Sequence, residues 1–176
     1  MKQVKRLKMR LSLTSLSKVL LGLLLPIFLI ACTPEEVVPT LTGRVVDNAN
    51  VLNAIQRQQL NSLLENIDRT TKVEIVVLTI NDLPSSENLE SYANKVFNKW
   101  GIGKKETDSG LLFLVVKNTK KIRIEVGRGN EGAMPDTIAD QILREVMAPK
   151  FKEGKFWEGF TEAAHASVKY LKNEHK

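Results

Sequence analysis

The 176-residue chain has one cysteine and two histidines. The cysteine, Cys32, lies at the end of an N-terminal apolar run, so no disulfide can hold the rest of the chain and burial must stabilise it. His165 and His175 fall in the C-terminal helical stretch and tail. With no other thiol or imidazole, zinc chemistry has no donor set in the remaining sequence. There is no P-loop, no Asp-x-Asp pair and no cysteine nucleophile beyond residue 32, so the familiar local signatures of phosphoryl transfer are missing. No internal repeat or low-complexity segment occurs after residue 41. An excess of basic charge is also missing once the N-terminus is set aside. The whole chain has 26 Lys+Arg against 20 Asp+Glu. Lys2, Lys5, Arg6, Lys8, Arg10 and Lys18 precede Cys32 with no acid among them, which leaves 20 of each sign. A formally neutral domain gives no electrostatic case for nucleic acid.

What is present begins with that N-terminus. A basic head leads into Val19–Ala31, broken only by Gly22 and Pro26 and too short for a comfortable membrane span. This is the pattern of a secretory signal over residues 1–31. Its end, Leu29-Ile30-Ala31-Cys32, resembles the lipobox of bacterial lipoproteins. That resemblance implies cleavage before Cys32, acylation of its thiol and new amino group, and an extracytoplasmic domain tied to a bacterial membrane by lipid. A plain secretory signal, or an uncleaved anchor, would leave Cys32 incidental. Thr33 in place of Asp favours the outer membrane if the envelope is Gram-negative. Residues 32–41, with Pro34 and Pro39, read as a lipid-anchored tether, and residues 42–173 as one domain with one core.

Hydrophobic periodicity orders that domain. Thr42–Leu52 reads as a short extended piece turning at Asp47-Asn48. Ile55, Leu60, Leu63, Leu64 and Ile67 mark one face of a helix starting near Asn53 and ending at Thr70-Thr71. Val73–Ile80 is a β-branched strand. Leu89, Tyr92, Ala93, Val96, Phe97 and Trp100 give a second helix, the strongest 3.6-residue signal in the chain. Leu111–Val116 is a continuous apolar run, predicted as a strand buried on both faces. Asn118–Lys121 turns it into an antiparallel strand, Ile122–Val126. A helix follows from Ile138 and is predicted to stop near Pro149. Lys150–Lys155 reads as a basic loop, and Phe156–Leu171 as the last helix. The order predicts an α/β fold, with a small mixed sheet and helices on both faces.

The chain is organised around Gly127-Arg128-Gly129-Asn130-Glu131-Gly132-Ala133-Met134-Pro135-Asp136. Its glycines can take positive φ or approach other backbone closely. Pro135 and Asp136 suit the opening turn of a helix. Gly127-x-Gly129-x-x-Gly132 matches the letters of a dinucleotide fingerprint, but Pro135 delays the helix and no second parallel strand with its acid follows. Glu131 inside the turn would also repel a pyrophosphate. A dinucleotide is excluded.

These residues belong to a wider pattern. Val46-Asp47-x-Ala49-x-Val51-Leu52, Trp100-Gly-Ile-Gly-Lys104, Asp108-Ser-Gly110, Val126-Gly-x-Gly-x-Glu131-Gly-x-x-Pro135-Asp136, and Pro149-x-Phe151 with Gly154 resemble the TPM domain family of bacterial envelope and thylakoid proteins. Ser109, Arg128 and Asn130 depart from the family's usual residues. The resemblance implies a three-layer α/β/α sandwich with a cleft where the blocks meet. It also implies a divalent cation there, usually calcium, with Asp47, Asp108, Glu131 and Asp136 as candidate metal ligands. Four carboxylates on three loops suit a hard cation with oxygen donors. Each has a local reading too: Asp47 and Asp108 as turn caps, Asp136 as a partner of the helix dipole, Glu131 as a solvated side chain. The family further implies a module for assembly or maintenance of membrane complexes, with a protein partner in the envelope. The alternative is a weak metal-dependent acid phosphatase, for which the chain offers no catalytic motif. The aromatics Phe151, Phe156, Trp157 and Phe160 read either as a contact patch or, more commonly for such spacing, as helix core.

Overall fold

The computed structural model describes residues 38–103 and 108–173. The predicted signal 1–31, Cys32 and the first part of the tether lie outside the described residues. The described residues form one compact unit. Val38 is already buried in it, and Trp100 Nε1 donates to the Pro39 carbonyl at 2.8 Å. The fold therefore starts within the predicted tether, ahead of Thr42.

Among the described residues, four strands form one sheet in the order β1 (Val45–Asp47), β2 (Glu74–Ile80), β3 (Gly110–Val116) and β4 (Lys121–Val126). The first three run parallel and β4 returns antiparallel to β3. Period-two alternation splits their side chains between two cores. Val45, Ile75, Val77, Leu111, Phe113 and Ile124 face α1 (Ala54–Thr71) and the C-terminal helices. Val46, Val76, Leu78, Leu112, Leu114 and Val116 face α2 (Leu89–Trp100). β3 is buried along its whole length, as a central strand covered on both faces must be.

Local chemistry sets the helix ends. Asn53 caps α1 and Asn88 caps α2, each in a reciprocal box with the residue three positions on, Gln56 and Ser91. Gly101 closes α2 in the left-handed conformation, φ 61°. On α1 the predicted inward face is not complete: Leu60, Leu64 and Ile67 are buried, but Ile55, in the first turn, is 67% exposed.

The helix predicted to stop at Pro149 does not stop there. α3 (Asp136–Ile142) widens into a π turn, Leu143–Met147, and continues as α4 (Ala148–Lys152). Pro149 has no N–H to give, and its ring would crowd a carbonyl four residues back. The wider turn resolves this: Ala148 N–H donates to the Leu143 carbonyl, five residues earlier. α4 then ends at Gly154, φ 75°, where Gly154 and Lys155 amides donate to the Phe151 and Lys150 carbonyls. That Schellman closure replaces the predicted basic loop and launches α5 (Phe156–Asn173). Phe160 is fully buried. Phe151, Phe156 and Trp157 are partly buried against the same core.

Successive connections β1–α1–β2 and β2–α2–β3 move across the sheet in the same direction but cover opposite faces. Two such crossovers must have opposite hands. One of them is therefore left-handed, against a rule obeyed in about 98% of parallel connections.

Candidate functional site

The register divides the conspicuous residues between two ends of the sheet. Asp47 pairs with Thr79, which pairs with Val115, at the carboxyl ends of the parallel strands. Glu74 pairs with Gly110, and Leu111 with Val126, at the opposite end. Five residue steps separate these levels on β3, about 17 Å at roughly 3.3 Å per residue.

The glycine-rich turn belongs to the second end. It leaves β4 through a short 3-10 turn, Arg128–Asn130, before Pro135 caps α3. Its glycines are not there for positive φ; Gly127 sits at φ −67°. What matters at Gly127 is proximity. A Cβ there would lie 2.1 Å from the Asp108 carbonyl oxygen and 3.0 Å from Phe97. Gly129 N–H donates to that same carbonyl at 3.1 Å. Gly103 and Gly110 meet in a similar way, a Cβ on Gly110 lying 2.6 Å from Gly103 N. Three segments thus touch backbone to backbone, with Asp108 held at φ 45°. Gly103 N–H also reaches Glu74 Oε2 at 2.8 Å, and Glu74 and Asp68 both pair with Arg44. Glu131, Asp136 and Arg128 are exposed around this junction, and Asp108 is half-buried.

Asp47 serves the first end. Its carboxylate is buried and accepts from Val51 N (3.0 Å), Leu52 N (3.0 Å) and Thr79 Oγ1 (2.5 Å), with Arg57 at 3.5 Å. Thr79 in turn accepts from Ala49 N at 3.1 Å, and Lys117 Nζ donates to the Ala49 carbonyl at 2.9 Å. These donors account for the lone pairs a cation would use. Asp47 is a loop cap in this arrangement, and it is not brought together with Asp108, Glu131 or Asp136. Among the described residues no three His, Cys, Asp or Glu side chains converge on a point that could hold a metal ion. The four candidate ligands of the expected calcium site are therefore divided between the two ends of the sheet, and no chemistry is routed through a cation below. His165 is exposed on α5.

Thr79 and Lys117 escaped the sequence reading. Thr79 is the one polar residue in Ile75–Ile80, and that break in an apolar strand was the available signal. Lys117 had none, because its acceptor is a backbone carbonyl 68 positions away.

A small mixed sheet between helical layers, with a glycine-mediated loop junction at one end and a capped carboxylate at the other, defines an α/β/α domain of the TPM kind. The TPM domain matches residues 45–170, and the chain belongs to that family. A chloroplastic UPF0603 protein of Arabidopsis thaliana is 25% identical over 127 residues, 72% of this chain and 43% of its own length. A chloroplastic UPF0603 protein of Oryza sativa subsp. indica is 24% identical over the same 72% of this chain and 41% of its own. The chain thus spans about two fifths of the length of these relatives. Among solved structures, the N-terminal domain of a P. gingivalis protein superposes with a TM-score of 0.66 at 31% identity, covering 76% of this chain and 84% of that one. A protein of the psychrophilic bacterium Bizionia argentinensis superposes at 0.62 with 20% identity, covering 69% and 82%.

Proposed function

We propose that this protein is a lipid-tethered, extracytoplasmic interaction module whose glycine-junction end engages a membrane protein of the cell envelope. The observation that carries the reading is where the chain enters the domain. Val38 and Pro39 dock on Lys99 and Trp100 at the end of α2, the same end of the sheet as the Gly127–Asp136 turn. Five residues separate Cys32 from Val38, a reach of about 20 Å when extended. A lipid on Cys32 would hold the exposed Arg128, Glu131 and Asp136 close to the bilayer surface. A neutral domain with mixed exposed charge there suits docking of a protein and gives no general attraction to anionic lipid.

The test has two parts. Mass spectrometry of the mature protein should find acyl chains on Cys32, and the acyl mass should be absent from Cys32→Ala. Photocrosslinkers at Arg128 and Glu131 should then capture one membrane protein in intact cells, with little capture from His165. A flexible insertion of about 20 residues after Thr33 should weaken capture by lowering effective concentration. An unmodified Cys32, or equal capture from all three positions, would overturn the reading.

A further inference from the structure

The other end of the sheet carries a feature that this reading does not use. Between the β3–β4 hairpin and the α4–α5 junction lies a cavity of about 380 Å³, within the size range of small-molecule sites, roughly 300–1,000 Å³. Its floor is apolar: Val115, Ile122, Ala148, Phe151 and Phe156. The two phenyl rings stack at 4.8 Å between centroids. Its rim is cationic: Lys117, Lys120 and Lys152. No carboxylate lines it.

None of the three rim lysines is in an ion pair among the described residues. Lys117 is oriented by its bond to the Ala49 carbonyl, a neutral acceptor. Lys120 is held at φ 53°, a left-handed conformation that disfavours a side chain with Cβ. α5 begins at Phe156 on the cavity wall, so the positive end of an 18-residue helix adds to the same field. The π turn ends at Met147, next to Ala148 on the wall, and such turns recur at functional sites.

We infer that this cavity is a binding site for a small amphipathic anion, an organic carboxylate with an aliphatic or aromatic body. The apolar part would lie on Phe151 and Phe156, and the carboxylate would meet the lysine rim. Lysines are point charges on flexible stems and lack the planar fork of arginine, so the site selects charge and apolar bulk over a fixed headgroup shape. A bilayer surface is a poorer occupant, because the cavity is a recess at the end of the sheet opposite the Val38–Pro39 entry.

The probe is decanoate, titrated by calorimetry and thermal melting into the unit 37–176, whose two cores are drawn wholly from residues 38 onward. Saturable binding with a raised melting temperature is expected, with 1-decanol and decyltrimethylammonium binding at least about tenfold more weakly. Lys120→Glu/Lys152→Glu should weaken decanoate about tenfold or more while leaving the melting temperature of the free protein nearly unchanged. Ala148→Leu, which fills the cavity from its wall, should abolish binding in a protein that still melts cooperatively. Absence of saturable binding, equal binding of the alcohol, or unchanged binding to both variants would overturn the assignment. None of these outcomes bears on the acylation of Cys32 or on capture from Arg128.

Discussion

At Gly127 the Asp108 carbonyl sits where a side chain would begin, and both partners are backbone, so neither can yield cheaply. Gly132, five residues on, has nothing within 4 Å of its hypothetical Cβ. Gly127→Ala is therefore expected to destabilise the domain by about 3 kcal/mol or more, through overpacking and displacement of the Asp108 segment. Gly132→Ala should stay within about 0.5 kcal/mol of the parent. Urea denaturation of both variants checks this; equal effects would refute the close-approach account. The sequence shows three glycines in six positions and cannot say which is required, because the requirement comes from a loop 19 positions earlier in the chain. The same limit applies to the carboxylates. Asp47 reads identically as ligand or cap until its donors, Val51, Leu52 and Thr79, are seen around it.

Elements are more legible, because their causes are local. α2 follows from its apolar spacing, its Asn88–Ser91 box and Gly101, all within fourteen consecutive residues. β3 follows from an unbroken apolar run. The continuation through Pro149 was not legible, since a π turn trades a register that the sequence does not display. One prediction belongs to α2. Glu87, just before its cap, accepts from Lys95 and Ser91, and these bonds hold its carboxyl below the ordinary range, the Lys95 bond most strongly. Its folded-state value is depressed, so its contribution is present above the unfolded value and is lost as pH falls through the folded one. NMR titration of Glu87 should show the low midpoint, and Lys95→Met should move it back towards the ordinary range. An unmoved midpoint in that variant would assign the shift elsewhere.

For the molecule as a whole, α/β class, mixed sheet and helices on both faces were readable from element order. Strand order and crossover hand were not. Handedness rules would place both crossover helices on one face of β1–β2–β3, yet α1 and α2 lie on opposite faces because Leu60, Leu64 and Ile67 complete one core while Tyr92, Val96 and Phe97 complete the other. Each sheet face carries enough apolar surface on β2 and β3 to demand a cover. Burial here outweighs the usual preference for one hand.

That exchange of faces has a consequence at the carboxyl ends of β1 and β2. Neighbouring strands whose outgoing loops diverge to opposite sides leave a gap between them, the place where open α/β sheets commonly admit a ligand. In this protein the chain stoppers its own gap: Asp47 from one strand and Thr79 from the other grip the 49–52 loop and keep solvent out. The Val51 and Leu52 amides should therefore exchange with deuterium as slowly as those of β3, and Asp47→Asn, which forfeits one charged acceptor, should speed both by about tenfold or more. Fast exchange in the parent protein would mean an unstoppered gap. Slow exchange would make the doorway of the fold part of its masonry, so that evolution of a ligand site there would first have to release Asp47.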